Sequence, residues 1–192
     1  MVRYAKEHKE ATRRRILETS SRRLKSDGVD GSGIAALMAD AGLTNGAFYA
    51  HFSSKDDLVA TVVSAELAAQ RDATAALPPG RESIEPLVRG YLSVEHRDHP
   101  EEGCPSAALI EEICRGGDQV RTAYTDGIVS FADLIAERLD PVSPETRRVR
   151  VLAAFAGMVG TLQMARTVND PDLSTALLDQ GIANALAQLS ET

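Results

Sequence analysis

The stretch that decides the fold is Ile34 to Leu58, IAALMADAGLTNGAFYAHFSSKDDL. Ile34, Leu37, Met38 and Ala41 recur at i, i+3, i+4 and i+7, so Ile34–Ala41 is expected as a short helix with one apolar face. Ser32 stands where it would cap that helix, and Gly42 where a left-handed C-cap would end it. Thr44 is placed to cap a second short helix carrying Asn45 to His51, in which Phe48 and Phe52 share the inner face. Ser53 or Ser54 is placed to cap a third helix, opened by Lys55, Asp56 and Asp57. Two short helices around a Gly-containing turn form a helix-turn-helix, whose second helix enters the DNA major groove.

The outer face of that second helix offers Thr44, Asn45, Gly46, Ala47, Tyr49 and His51. Small residues allow the backbone to approach base edges, while Tyr49, His51 and Lys55 suit phosphate. The same residues would also make an ordinary polar surface on a helical hairpin. Spacing and capping therefore support DNA binding without deciding it.

This region resembles the tetracycline-repressor (TetR) family of bacterial transcriptional regulators, from about Thr12 to about Val59. The resemblance rests on Arg15-Ile16-Leu17, Gly28, Ser32, Ile34, Ala41-Gly42-Leu43-Thr44, Gly46, Phe48-Tyr49-Ala50-His51-Phe52 and Ser54-Lys55-Asp56-Asp57-Leu58. Leu37-Met38 replaces the usual Ile-Ala, and Val29 replaces an aromatic; both changes are apolar and fall in expected core. The resemblance implies an all-α homodimer. Residues 1–55 would form a three-helix DNA-binding head containing the helix-turn-helix, and residues 56–192 a helical ligand-binding and dimerisation body. The DNA-binding set is Ser32, Thr44, Asn45, Gly46, Ala47, Tyr49, His51 and Lys55.

A net charge of −7 looks unfavourable for DNA, but its distribution does not: residues 1–56 carry +3 and the remainder −10. Every lysine lies at or before position 55. A basic head on an acidic body keeps the local field favourable and limits non-specific adhesion. Met1–Glu10 reads as a polar arm with Arg3, Lys6 and Lys9, followed by a helix Ala11–Ser26 whose Arg13, Arg14 and Arg15 would flank phosphate, ended by Asp27-Gly28.

Asp56–Ala76 reads as one long amphipathic helix, broken at Pro78-Pro79-Gly80. Ser83 then caps a helix Ile84–His96, and Cys104 caps Pro105–Cys114. Asp118 starts a helix Gln119–Leu139 and Ser143-Pro144 another to about Val168, while Asp170-Pro171 opens the last, Asp172–Leu189. Leu87, Tyr91, Leu109, Ile113, Tyr124, Ile128 and Phe131 would line an effector cavity or fill a plain core. With few aromatics in the chain, the lining is expected to be mostly aliphatic, which suits an apolar molecule and argues weakly against large flat ligands. Small residues in the last two helices (Ala153, Ala154, Ala156, Gly157, Gly160, Thr161, then Ala176, Gly181, Ala183, Ala187) favour close helix approach, and residues of about 144–190 are the expected dimer interface.

Cys104 at a helix N-cap is a candidate electrophile or redox sensor, or else a small buried residue at a tight turn. This thiol carries the alternative function, a stress-sensing helical module. Cys104 and Cys114 lie at opposite ends of a short helix, too far apart to pair if it is intact. A metal site could be drawn from His96, His99, Asp98 and Cys104, but the spacing is loose and no metal or other cofactor is expected. No phosphate loop, nucleophile elbow or HExxH motif occurs, and the chain is not read as an enzyme. With two cysteines, no long apolar run and no apolar core in the N-terminal segment, the expected setting is cytoplasmic. The expected function is a repressor that binds a palindromic operator and leaves it when a small molecule binds.

Overall fold

The first helix, α1 (Val2–Gly31), bends at Gly28, whose φ of 78° is open to glycine but not to most side chains. The structure is a computed structural model that describes residues 2–139 and 143–190, and side chains from residue 7 onward. Helix α1 absorbs the expected polar arm, since it is helical from Val2; the side chains of Arg3 and Lys6 lie outside the described residues. Its break at Asp27-Gly28 falls where the sequence places it.

Helix α2 (Ile34–Asp40) ends as expected, with Gly42 at φ 65° and Leu43 N donating to the Met38 carbonyl at 2.9 Å. Its start differs from expectation. Gly33 is the N-cap, and Ser32 is fully buried with Oγ donating to the Gly28 carbonyl at 2.7 Å. Ser32 thus supports the bend in α1 and does not cap α2. The second helix of the motif is a 3-10 segment, Asn45–Ala50, and Thr44 stands at its N-cap without a side-chain cap bond. Asn and Gly at its start are weak helix formers, and a segment this short settles into the tighter i, i+3 pattern. Ile16, Leu24, Leu37, Met38, Phe48, Phe52 and Leu58 close a small core under it.

Helix α3 (Lys55–Ala75) leaves the head and runs into the body. Ser54 caps it by accepting from Asp57 N, and Asp56 and Asp57 sit favourably in its first turn. The expected helix Ile84–His96 is two: α4 (Ile84–Tyr91) and α5 (Val94–Asp98), with Ser93 capping the second through His96 N. Ser83 caps nothing with its side chain and instead bonds the Gly80 carbonyl. Then follow α6 (Pro105–Arg115), α7 (Asp118–Ala136), α8 (Pro144–Thr167) and α9 (Pro171–Ser190). Helix α3 packs along α7, α8 along α9, and α6 against α1. All regular structure among the described residues is helical, and none of those helices is long and apolar enough to cross a membrane.

The α3–α7 pair is close because α7 carries Gly127, where an added Cβ would lie 2.7 Å from Leu67 Cδ1. The α8–α9 pair closes at Gly181, where a Cβ would lie 2.5 Å from Thr161 Cγ2. Thr161 and Gly181 therefore serve packing within one chain, whereas the sequence reading assigned them to a dimer interface.

Candidate nucleic-acid interface and body cavity

The head presents Thr44, Asn45, Gly46 and Tyr49 to solvent, with Ala47 half-buried beside them. Tyr49 is 68% exposed, an unusual position for a large aromatic, and its ring meets Phe48 edge-on at 5.2 Å. Phe48, one residue away, is fully buried, so the backbone turns one ring in and the next out. Arg13 pins this segment: its guanidinium lies 4.3 Å from the Phe52 ring centroid, and Nη1 donates to the His51 carbonyl at 2.5 Å. Arg14 and Arg15 remain exposed.

Three of the expected DNA-facing residues are placed differently. Ser32 is inaccessible, as described. Lys55 is half-buried, with Nζ donating to the Val29 carbonyl. His51 is half-buried too; burial first, then Lys9 and Arg13, lower its pKa and favour the neutral ring.

The body holds a cavity of about 750 Å³ bounded by α3, α4, α6, α7 and α8. Of the residues expected there, Leu87, Tyr91 and Phe131 line it. Leu109, Ile113, Tyr124 and Ile128 do not: the three aliphatics are buried in the core, and Tyr124 pairs its hydroxyl with Ser106 Oγ at 3.1 Å. The lining missed from sequence comes from α3 (Glu66, Gln70, Ala73) and α8 (Val151, Ala154, Phe155, Met158). Both sets recur at i, i+3 or i+4, and i+7, the signal by which they were findable. Ala154 thus faces the cavity and not a partner chain. Four aromatic side chains lie beyond the head, and three of them, Tyr91, Phe131 and Phe155, line the cavity. Phe155 bridges the other two, at 5.3 Å from Tyr91 and 5.7 Å from Phe131. To the expected Tyr91 and Phe131 the structure adds Phe155, so a lining expected to be mostly aliphatic has an aromatic wall.

At one end of the cavity His96, Cys104 and Tyr91 meet. Nδ1 of His96 donates to the Tyr91 carbonyl at 2.7 Å, and Nε2 accepts from Cys104 N at 3.0 Å. Both ring nitrogens are thereby used and the tautomer is fixed. Burial, then Arg166 and Lys25, lower the His96 pKa against the Tyr91 bond. His99 stands apart from this group, at the exposed rim beside Glu95 and Glu101 at 3.6 and 3.4 Å. Cys104 is buried at the N-cap of α6, its Sγ donating to Gln70 Oε1 at 3.4 Å, while Cys114 is exposed near the far end.

Head and cavity are joined by α6 and its preceding turn. Lys25 Nζ reaches Glu66 Oε2 at 2.8 Å and the Gly103 carbonyl at 3.0 Å. Farther along α6, Glu112 Oε1 accepts from Val29 N at 2.6 Å. Neither anchor was foreseen from the sequence.

Residues 16–62 match the model of the family described as bacterial regulatory proteins, tetR family. The HTH-type transcriptional regulator TtgR of Pseudomonas putida is 33% identical over 87 residues, 45% of this chain and 41% of that protein. The match thus spans less than half of that relative. The fold is similar to that of E. coli NemR in its reduced form, with a TM-score of 0.73 at 18% identity over 91% of this chain and 95% of that one. It is also similar to AibR in complex with isovaleryl coenzyme A and operator DNA, with a TM-score of 0.58 at 16% identity over 90% and 97%. Head sequence and all-helical fold agree: residues 16–62 match the tetR family of bacterial regulatory proteins, and the fold of the whole chain is similar to those of solved transcriptional regulators.

Proposed function

We propose that this chain is a transcriptional repressor that binds a palindromic operator as a homodimer and is released by a small molecule held in the body cavity. The observation that carries the reading is the head surface: Tyr49 stands exposed next to Thr44, Asn45 and Gly46 on a segment braced from below by Phe48, Phe52 and Arg13. Thr44, Asn45, Gly46 and Ala47 approach base edges, Tyr49 bonds phosphate or base, and Arg14 and Arg15 add cations. Lys55 and His51 act mainly by holding the segment in place. The AibR complex with operator DNA supports the reading by likeness of fold.

Dimerisation is supported by an unpartnered face across α8 and α9. Val149, Ala153, Ala156, Gly157 and Met164 are exposed along α8, and Leu173, Ala176, Ala183 and Ala187 along α9. A second copy seated there would give two heads for two half-sites one helical turn apart. Release follows if the effector binds the DNA-incompetent arrangement more tightly. Its route is α6: the N-terminal end lines the cavity through Cys104 and Pro105, and Glu112 holds the end of α1.

Fluorescence anisotropy on DNA flanking the chain's own gene, at two salt concentrations and against scrambled DNA, tests this. Sequence-selective, salt-sensitive binding is expected. Equal weak binding to both DNAs would oppose the operator reading. A second reading, thiol sensing through Cys104, is favoured by that residue lining the cavity and opposed by its burial and its bond to Gln70. An unmodified Cys104 by mass spectrometry after mild electrophile exposure would remove it.

A further inference from the structure

We infer that the cavity takes an uncharged, largely apolar molecule with aromatic character and one hydrogen-bond acceptor, seated with that acceptor against the Tyr91 hydroxyl. The inference rests on the reading of this cavity as the effector site and names the class of its ligand.

The first support is an orphan. Tyr91 lines the cavity, and its Oη is buried with no hydrogen-bond partner within the protein. Buried hydroxyls are nearly always paired, so an unpaired one at a cavity wall marks a place where a ligand atom completes the bond. The neighbouring Cys104 Sγ donates to Gln70 Oε1 and is only a weak acceptor for the Tyr91 hydroxyl, so a ligand oxygen is the better partner. The Tyr91 ring is fixed edge-on between His96, at 4.7 Å, and Phe155, at 5.3 Å. Burial first, then Cys104, raises the Tyr91 pKa well above its ordinary value, so the hydroxyl keeps its proton.

The second support is charge. Among the described residues no Lys or Arg lines the cavity. Lys25 approaches only to neutralise Glu66 and bond Gly103, and Arg166 is turned to the carbonyls of His96 and Arg97. His96 offers no cation, because protonating Nε2 would set an N–H against the N–H of Cys104. His99, at the rim, is already flanked by Glu95 and Glu101. Glu95 and Glu102 are the other ionisable carboxylates on the lining, both exposed. A carboxylate or phosphate on the ligand would lose its water and find no cation on the lining, since Arg166, near Tyr91, is already committed to two backbone carbonyls. The third support is the wall of Tyr91, Phe155 and Phe131, which suits the face or edge of an aromatic ring.

Three matched probes test this by isothermal titration of the full-length protein: benzophenone, diphenylmethane, which lacks the acceptor, and 4-benzoylbenzoate, which adds a carboxylate. Benzophenone is expected to bind about fivefold tighter than diphenylmethane, the typical worth of one hydrogen bond. The 4-benzoylbenzoate is expected to bind at least about tenfold more weakly than benzophenone, the penalty for an unpaired charge. Tyr91→Phe is expected to erase the preference for benzophenone over diphenylmethane, and it leaves no internal bond broken, so folding is retained. A carboxylate that binds as well as the ketone overturns the inference. So does a preference that survives Tyr91→Phe, or no binding of any probe at its solubility limit. Anisotropy on operator DNA is read in parallel: benzophenone binding with the expected preferences but without DNA release supports the ligand class and overturns only the release mechanism.

Discussion

Lys25 and Glu66 join the DNA-binding head to the cavity wall across 2.8 Å. Lys25 belongs to the first helix of the head and its side chain is buried, while Glu66 lies on α3 and lines the cavity. The ammonium also holds the Gly103 carbonyl, one residue before the α6 N-cap. A molecule that displaced Glu66 or the turn at Gly103 would disturb a charge in the head directly. A lysine at a helix position otherwise reading as core has few ways to be tolerated, and this one is satisfied twice.

Lys25→Met removes that link and leaves Glu66 without its partner. Stability is expected to fall by about 1–2 kcal/mol, less than for a fully buried pair because Glu66 keeps some access to water. Urea unfolding should show a lower midpoint at unchanged slope. Release of operator DNA by a cavity ligand such as benzophenone should be blunted in the same variant. Full release at wild-type ligand concentration would mean that coupling runs through Glu112 and Val29 alone.

Tyr49→Ala and Ser32→Ala separate DNA contact from support. Tyr49 is exposed, so its loss should change stability by no more than about 0.5 kcal/mol. Operator affinity should fall by about tenfold, the value of one good contact. Ser32→Ala loses the bond to the Gly28 carbonyl and should lower stability by about 1 kcal/mol. Its operator affinity, measured where the protein is fully folded, should stay within about twofold of wild type, since the lost bond is internal to the head. Thermal unfolding and anisotropy on both variants check the pair.

The head was legible in the sequence because local chemistry fixes it. Gly42, Ser54 and Gly28 each specify a turn or cap by themselves, and Phe48 and Phe52 at i, i+4 mark the buried side. Ser32 has the position and chemistry of a cap, but the chain places Gly33 at the cap and turns the Ser32 hydroxyl back to the Gly28 carbonyl. The cavity was only partly legible. Apolar periodicity names the inner face of a helix but not whether that face meets another side chain or empty space, so Leu109 and Phe131 look alike until the helices are assembled. Lys25, Glu66 and Glu112 were invisible for a related reason. Their partners lie 41 and more residues away, and a single sequence carries no sign of such pairings.

His96 makes stability depend on pH. Its folded pKa lies below the ordinary 6.5, through burial and then the charges of Arg166 and Lys25. The unfolded chain therefore binds more protons between 6.5 and the lower folded value, and stability rises with pH across that window. It is whole above 6.5 and is lost as pH falls from there through the folded pKa. His51 shifts in the same direction and adds to the slope. In His96→Asn the slope between these pH values should shrink but not vanish, whatever constant offset the substitution brings. Urea unfolding at pH 5, 6, 7 and 8 separates offset from slope, and an unchanged slope would mean that His51 carries the effect.

Gly157 and Gly181 make opposite predictions about the α8–α9 face. At Gly157 an added Cβ meets nothing within 4 Å, so packing within one chain does not require glycine there. Mid-helix glycine is less favourable than alanine by about 1 kcal/mol, which a close-approaching partner helix would offset. With the α8–α9 face as the proposed dimer interface, Gly157→Arg should leave the helical fold intact, give a monomer in sedimentation at micromolar concentration, and weaken operator binding steeply, because one head then meets one half-site. At Gly181 the Cβ would collide with Thr161, so Gly181→Ala should destabilise the fold by about 1–3 kcal/mol. Its folded fraction should still dimerise, since the crowding is internal to the chain. A Gly157→Arg protein that still sediments as a dimer would place the interface on another surface and remove the reason for the exposed run from Val149 to Met164.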